Sequence, residues 1–408
     1  MLVVTANWAV ADGTLVTRPR REQAEWLAAV HRAAIRAGVH RDGRYSPLAG
    51  LDVVLAGDTL DGLTTTAWLG DARPWHAGRR AEGIAAGVLV AAAARCRRLC
   101  GGLARWAREG IPVPDADRRG RPDWSRRRRV PVRVTVLPGD RDRWLTAATP
   151  RLARRGIRVA AAWSAGTVAV CHGAEFEPSF TAAGGPEVGR PSLGESLAVD
   201  LVARFAAAIR AADVWPECRG LVAGLAAARP RDLPLTVTTW LATATPVAAR
   251  AVRDRWARAV SWWRRAARTA EPACGVDFDP VDAVAAWLES GAPACGTAAL
   301  DGLFDPGPPP PPPRGTVVLG HPPAAWSAGR LVCLGGQPAA ATAAELSSGV
   351  AVSCIEPAPP AGGPAHVVCT EPPEYGAWMP LMPAGTTAGR MPPAFRAAAD
   401  EPRIVEAA

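Results

Sequence analysis

The residues of this chain that could do chemistry together are few: Asn7, Asp58, Asp140, Arg141, Asp142, His172 and His321. Each group follows a short apolar run of strand length. Leu2 to Thr5 precedes Asn7, Val53 to Ala56 precedes Gly57-Asp58, and Val132 to Leu137 precedes Pro138-Gly139-Asp140-Arg141-Asp142. Thr167 to Cys171 runs into His172, and Thr316 to Leu319 runs into Gly320-His321. Such runs, rich in β-branched residues and stopped by Gly or Pro, predict buried strands. Open α/β sheets bind their ligands beyond the carboxyl ends of those strands. Taken singly, Asp58 reads equally well as a turn residue capping the helix that follows Gly62. The alternative for Arg141-Asp142 is a local ion pair at a helix start. Five polar loops aimed at one sheet edge favour a metal or phosphate site.

The elements that must carry these loops alternate between strand and helix. A helix is expected from Pro19 to Ala37, with Trp26, Val30 and Ala33 on one face and Gly38 as its stop. A long Ala-rich helix is expected from Arg79 to Arg108, and another up to Arg155. Ile157 to Trp163 reads as one strand. The polar stretch Asp117 to Arg129 is too broken by Gly and Pro to be a helix and reads as a solvated loop. From Ser192 to about Ser290 the pattern is helical throughout, without a polar cluster of catalytic type. Six consecutive prolines end at Pro313, a stiff polyproline spacer. Short strands follow at Leu331 to Leu334, Val350 to Ile355 and His366 to Cys369, before a Pro- and Ala-rich tail. The expected organisation is a core in two parts, residues 1–190 and 315–370. A helical insertion at 191–304, a proline linker at 305–314 and a tail at 371–408 complete it.

Composition bounds the function. In 408 residues, 49% hydrophobic, there is ample material for a large core. The net charge is +9, yet every basic residue is Arg. That bias fits GC-rich coding and weakens the usual inference from basicity to nucleic acid. An Arg-loop nucleic-acid arm, with Trp124 as a stacking residue, is therefore a minor reading. Nine scattered cysteines without a CxxC pair predict reduced thiols used in packing. Without a basic leader or a long apolar run, a cytoplasmic protein with no membrane span is expected.

The order of the motifs resembles the calcineurin-like metallophosphoesterases. That family carries DxH, GDxxD, GN[HR][DE], an HG loop and GHxH, each after a strand. Here Gly57-Asp58-Thr59-Leu60-Asp61 matches GDxxD and Gly139-Asp140-Arg141-Asp142 is similar to the GNRD form of the UDP-diacylglucosamine pyrophosphohydrolase branch. His172-Gly173 matches the HG loop and Gly320-His321 the start of GHxH. The resemblance implies an α/β fold of two packed sheets flanked by helices, with an α-helical insertion. It implies metal-dependent hydrolysis of a phosphomonoester, phosphodiester or pyrophosphate bond in a phosphorylated small molecule or nucleotide-like substrate.

It also implies a changed metal site. DxH is replaced by Asn7-Trp8-Ala9, and the last His of GHxH by Pro323. Three of the four positions for the family's first metal are thereby altered, and Asn7 is a poor neutral ligand. The second metal's positions stay competent as Asp58, Asp140, His172 and His321. Two carboxylates and two imidazoles suit a single Zn²⁺, Mn²⁺ or Fe²⁺ ion. In that reading Arg141 stabilises charge on the phosphoryl oxygens and Asp142 orients a neighbour. The competing reading is a non-catalytic descendant that uses the same cleft to bind a partner.

Overall fold

A computed structural model of the chain describes residues 1–15, 21–40, 42–165, 168–173, 189–228, 230–272, 280–290, 303, 316–320, 325–328, 331–334, 344–345, 351–353 and 366–369. The chain opens with β1 (Leu2–Thr5), β2 (Val10–Ala11), α1 (Arg21–Arg36), β3 (Leu51–Ala56) and β4 (Leu60–Asp61). Helices α2 (Arg79–Arg95) and α3 (Arg97–Glu109) lead into the hairpin of β5 (Ile111–Ala116) and β6 (Pro122–Val130). Then come β7 (Val132–Leu137), α4 (Thr149–Ala153), β8 (Ile157–Val159), β9 (Trp163–Ala165) and β10 (Val168–Cys171). The helical segment holds α5 (Leu193–Ser196), a π-helical stretch (Leu197–Ala203) and α6 (Arg204–Arg210). It continues with α7 (Trp215–Ala227), α8 (Leu233–Leu241), α9 (Pro246–Ala270) and α10 (Pro280–Ser290). Strands β11 (Thr316–Leu319), β12 (Ala325–Ala328), β13 (Leu331–Leu334), β14 (Ala344–Glu345), β15 (Ala351–Ser353) and β16 (His366–Cys369) close the described chain.

These elements make an α/β fold with several sheets. Among the described residues, one sheet has the order β14-β15-β16-β1-β3-β7-β8 and another the order β12-β13-β11-β10-β9. β1, β3, β7 and β8 run parallel, as do β10, β11 and β13, so their carboxyl ends share an edge within each sheet. Parallel central strands are buried on both faces, which explains their unbroken apolar runs. One face of the larger sheet meets the smaller one: Leu2, Val4, Val54 and Leu137 share a core cluster with Val168, Val170 and Val318. The other face, through Val3, Val53, Leu55 and Val134, packs against Trp26 and Val30 of α1 and Leu99 and Leu103 of α3. The helical segment has its own core, in which Phe205 sets its ring edge-on to Trp256, with centroids 5.3 Å apart.

Four expectations change here. The helix expected over 79–108 is two, broken at Cys96. Gln23 reaches into the break, its side-chain amide 3.4 Å from the Arg95 carbonyl and from the Leu99 amide. The strand expected over 157–163 is also two, because the chain changes sheets there. Ala160 makes the last bond to Val136, and Trp163 already pairs with Val170. The stretch read as a loop includes a strand: β6 pairs antiparallel with β5, and residues 124–129 are exposed. A strand wet on both faces shows no apolar alternation. The expected helix up to Arg155 is a 3₁₀ stretch, Arg143–Ala148, followed by α4. The proline run and the tail lie outside the described residues. Among the described residues no helix is long and apolar enough to cross a membrane.

Candidate metal centre

The carboxyl ends of β1, β3, β7 and β10 bring Asn7, Asp58, Asp140 and His172 into one neighbourhood. Gly57 ends β3 with a φ of 89°, and Asp58 follows with a φ of 50°. This left-handed step is where a glycine is least strained. It has a second purpose: a Cβ on Gly57 would stand 2.0 Å from His172 Nδ1. Gly139 likewise makes room, since a Cβ there would lie 2.2 Å from Asp58 Oδ1. The two glycines thus set the closeness of the three loops.

Asn7 and Ala9 also adopt left-handed backbone, with φ of 58° and 41°. The β1 loop is laced to the Gly57 loop by Asn7 N–H donating to Gly57 O (3.2 Å) and Ala9 N–H to Asp58 O (2.7 Å). The Asn7 side chain donates through Nδ2 to the Gly320 carbonyl at 2.7 Å. Gly320 itself donates to the Cys171 carbonyl at 3.1 Å. The end of β11 therefore abuts this site, while His321 and Pro323 lie outside the described residues.

His172 is oriented at both ring nitrogens. Nδ1 stands 3.0 Å from the Ala56 carbonyl, which can only accept, so this nitrogen carries a proton. Nε2 is 2.7 Å from Asp140 Oδ1 and 3.8 Å from Asp58 Oδ1. Burial opposes charge on the ring, but the facing Asp58 carboxylate and the bond to Asp140 outweigh it and raise its pKa to about 10. A protonated His172 thus offsets one of the two carboxylate charges that face it. One ligand atom from each of Asp58, Asp140 and His172 lies within 4.8 Å of the others. Two carboxylate oxygens and an imidazole nitrogen whose opposite N–H is tied to a carbonyl fit a single divalent ion well. The three residues could hold one such ion.

The supporting polar groups are buried and paired. Asp142 is fully buried and accepts from Gly139 N–H at 2.7 Å and Leu60 N–H at 3.0 Å, joining the β7 and β3 loops. Burial, with the nearby Asp58 charge, pushes its pKa up to about 7 against the pull of those two amides. The Arg141 amide donates to Asp58 Oδ1 at 3.0 Å. Its guanidinium donates to Asp61 Oδ2 and to the Ala226 carbonyl, both at 3.1 Å, and stands 4.0 Å from Asp58 Oδ2. Desolvation opposes the Arg141 charge, but Asp61, Asp58 and Asp140 more than compensate and raise its pKa.

Several contributors were not legible at the sequence level. Asp61 is both the Arg141 partner and the acceptor for the Leu63 and Thr64 amides. The helical segment is clamped over the site by Arg143, 2.9 Å from Glu195, and by Arg73, 3.0 Å from Asp200 in the π-helical stretch. Glu195 also forms a capping box with Ser192, and the Ser-x-x-Glu spacing was the available signal for it. Between the segment and the site lies a cleft lined by Asp140 and Arg141 on one side and by Leu197, Val202, Leu225 and Leu233 on the other. No family model, curated protein or solved structure matches the chain.

Proposed function

We propose that the chain is a divergent calcineurin-like phosphoesterase that hydrolyses a phosphoester or pyrophosphate bond slowly, with one divalent ion. The observation that carries this reading is the convergence of Asp58, Asp140 and His172 from three separate strand ends. Their order along the chain is that of the family's second-metal ligands, and two packed sheets with a helical insertion are the architecture that family implies.

Asp58, Asp140 and His172 would hold the ion, with His321 as the fourth donor in this reading. When bound, a Zn²⁺, Mn²⁺ or Fe²⁺ ion supplies Lewis acidity toward a water and a phosphoryl oxygen. The protein's own part is positioning. Asp61 and the Ala226 carbonyl fix the Arg141 guanidinium beside the cleft, where its remaining N–H groups donate to phosphoryl oxygens. Asp142 holds the Gly139 and Leu60 amides, and so keeps the Asp58 and Asp140 loops in register. The leucines of the cleft exclude water from one side of the phosphoryl group.

A non-catalytic relative is the second reading. The Asn7 amide already donates to the Gly320 carbonyl, a structural use of the first-metal position. One assay separates the two. Purified protein with added Mn²⁺ is tested on generic phosphomonoesters and phosphodiesters, beside Asp58→Ala and His172→Ala, with bound metal measured by elemental analysis. One ion per chain in the wild type, with metal and activity lost in both variants, is expected. Metal without hydrolysis would favour the binding protein, and no metal at all would overturn both the site and the enzyme.

A further inference from the structure

We infer that the β5–β6 hairpin is a docking surface for single-stranded nucleic acid, separate from the metal centre. Residues 111–130 carry seven arginines against three aspartates. The aspartates mostly shape the turns. Asp117 accepts from the Arg119 and Arg121 amides, each at 2.8 Å, and Asp123 accepts from Ser125 N–H and Oγ–H. Arg126 pairs with Asp123 at 2.8 Å and Arg129 with Glu109 at 3.4 Å. Among the described residues, Arg118, Arg119, Arg121, Arg127 and Arg128 are exposed and form no ion pair.

Geometry turns this charge into a surface. β6 is held by β5, with Arg127, Arg128 and Arg129 opposite Pro114, Val113 and Pro112. Residues two apart on a strand project from the same face about 7 Å apart, a spacing that suits successive phosphates of an extended strand. The register shifts between Pro114 and Asp115, so residues 124–126 bulge from the ladder. Trp124 stands in this bulge, 62% exposed. An exposed indole beside guanidinium groups is the pairing that stacks an unpaired base while arginines hold its phosphates. A duplex offers no such free base, and a membrane surface would call for more apolar side chains than this one. Pro112 and Pro114 remove two N–H donors from β5, which disfavours addition of a protein strand there.

The surface lies apart from the metal edge. Val130 and Pro131 lead straight into the amino end of β7, whereas Asp140 follows its carboxyl end. Six residues at about 3.3 Å each separate the two by about 20 Å.

The test is fluorescence anisotropy of the full-length chain with labelled oligothymidylate and oligouridylate of about 12 nucleotides. With roughly four phosphate contacts, affinity should fall about 50-fold between about 50 mM and about 200 mM salt. In Arg127→Ser/Arg129→Ser, which removes two neighbours on one face of β6, that factor should shrink to about 7-fold. Trp124→Ala should weaken binding about 10-fold, and Trp124→Phe should retain most of it. All these side chains are exposed, and circular dichroism checks that the variants fold. Binding should survive Asp58→Ala. Absence of binding at low salt, indifference to Trp124→Ala, loss in Asp58→Ala, or preference for phosphatidylserine vesicles over the oligonucleotides would each overturn the inference.

Discussion

His172 keeps its place because Gly57 has no side chain. The ring lies against the glycine, bonded at Nδ1 to Ala56 and at Nε2 to Asp140. Gly57→Ala would put a methyl group within 2.0 Å of Nδ1 and force an L-residue to a φ of 89°. Left-handed backbone costs a residue with a Cβ about 1–2 kcal/mol, and the ring must also move off its carbonyl. The expected result is a stability loss of about 2 kcal/mol in urea denaturation. Mn²⁺ affinity by calorimetry should fall on the order of 100-fold, the upper range for disturbing a ligand's support. Unchanged affinity would mean that His172 is not a ligand. Asp58 accepts the Arg141 amide from another loop, and the cap of the short 3₁₀ helix after Gly62 is Thr65, which accepts from the Ala67 amide.

At the scale of elements, the strand ends were readable in the sequence and the clamps over them were not. Val53–Ala56 and Val132–Leu137 announce themselves because a buried parallel strand is a local apolar run stopped by Gly or Pro. β6 left no such trace, since arginines cover both its faces. The break at Cys96 depends on Gln23, more than seventy positions away, and no local pattern reports it. The same holds for Arg73. Its Nε bonds Asp200 at 3.0 Å and its Nη1 donates to the Trp68 carbonyl at 2.8 Å. Asp200 is buried and stands in a π-helical stretch, a distortion that often marks a functional position. Among the described residues, Arg73→Ala would leave that carboxylate with only Arg204, 3.9 Å away. Stranding one partner of a buried pair costs about 3–5 kcal/mol; Arg73 is itself 14% exposed, so about 3 kcal/mol is expected. Urea denaturation measures it, and limited proteolysis should cut first in the helical segment. A loss below about 0.5 kcal/mol would show that the clamp is idle.

At the scale of the whole molecule, two sheets packed through Val54 and Val170 bring the carboxyl edges of β3 and β10 together, and β1 adds a third loop that carries Asn7 and Ala9. Asn7 and Ala9 already have left-handed backbone, which Asp and His tolerate better than most residues. Their loop is also tied to Asp58 by the Ala9 amide. In this loop the proposed phosphoesterase pattern therefore asks for side chains, not for a new backbone. The combined variant Asn7→Asp, Ala9→His and Pro323→His is expected to take up two ions per chain where the wild type takes one. Two ions would clamp both the entering and leaving oxygens of a phosphoryl transfer. Hydrolysis of a generic phosphodiester should then rise on the order of 100-fold, the typical worth of one well-placed electrostatic stabiliser. Two ions without faster hydrolysis would place the defect in the cleft walls of the helical segment. One ion, with unchanged hydrolysis, would mean that this edge never had the geometry of the paired site, and the likeness to the phosphoesterases would end at Asp58, Asp140 and His172.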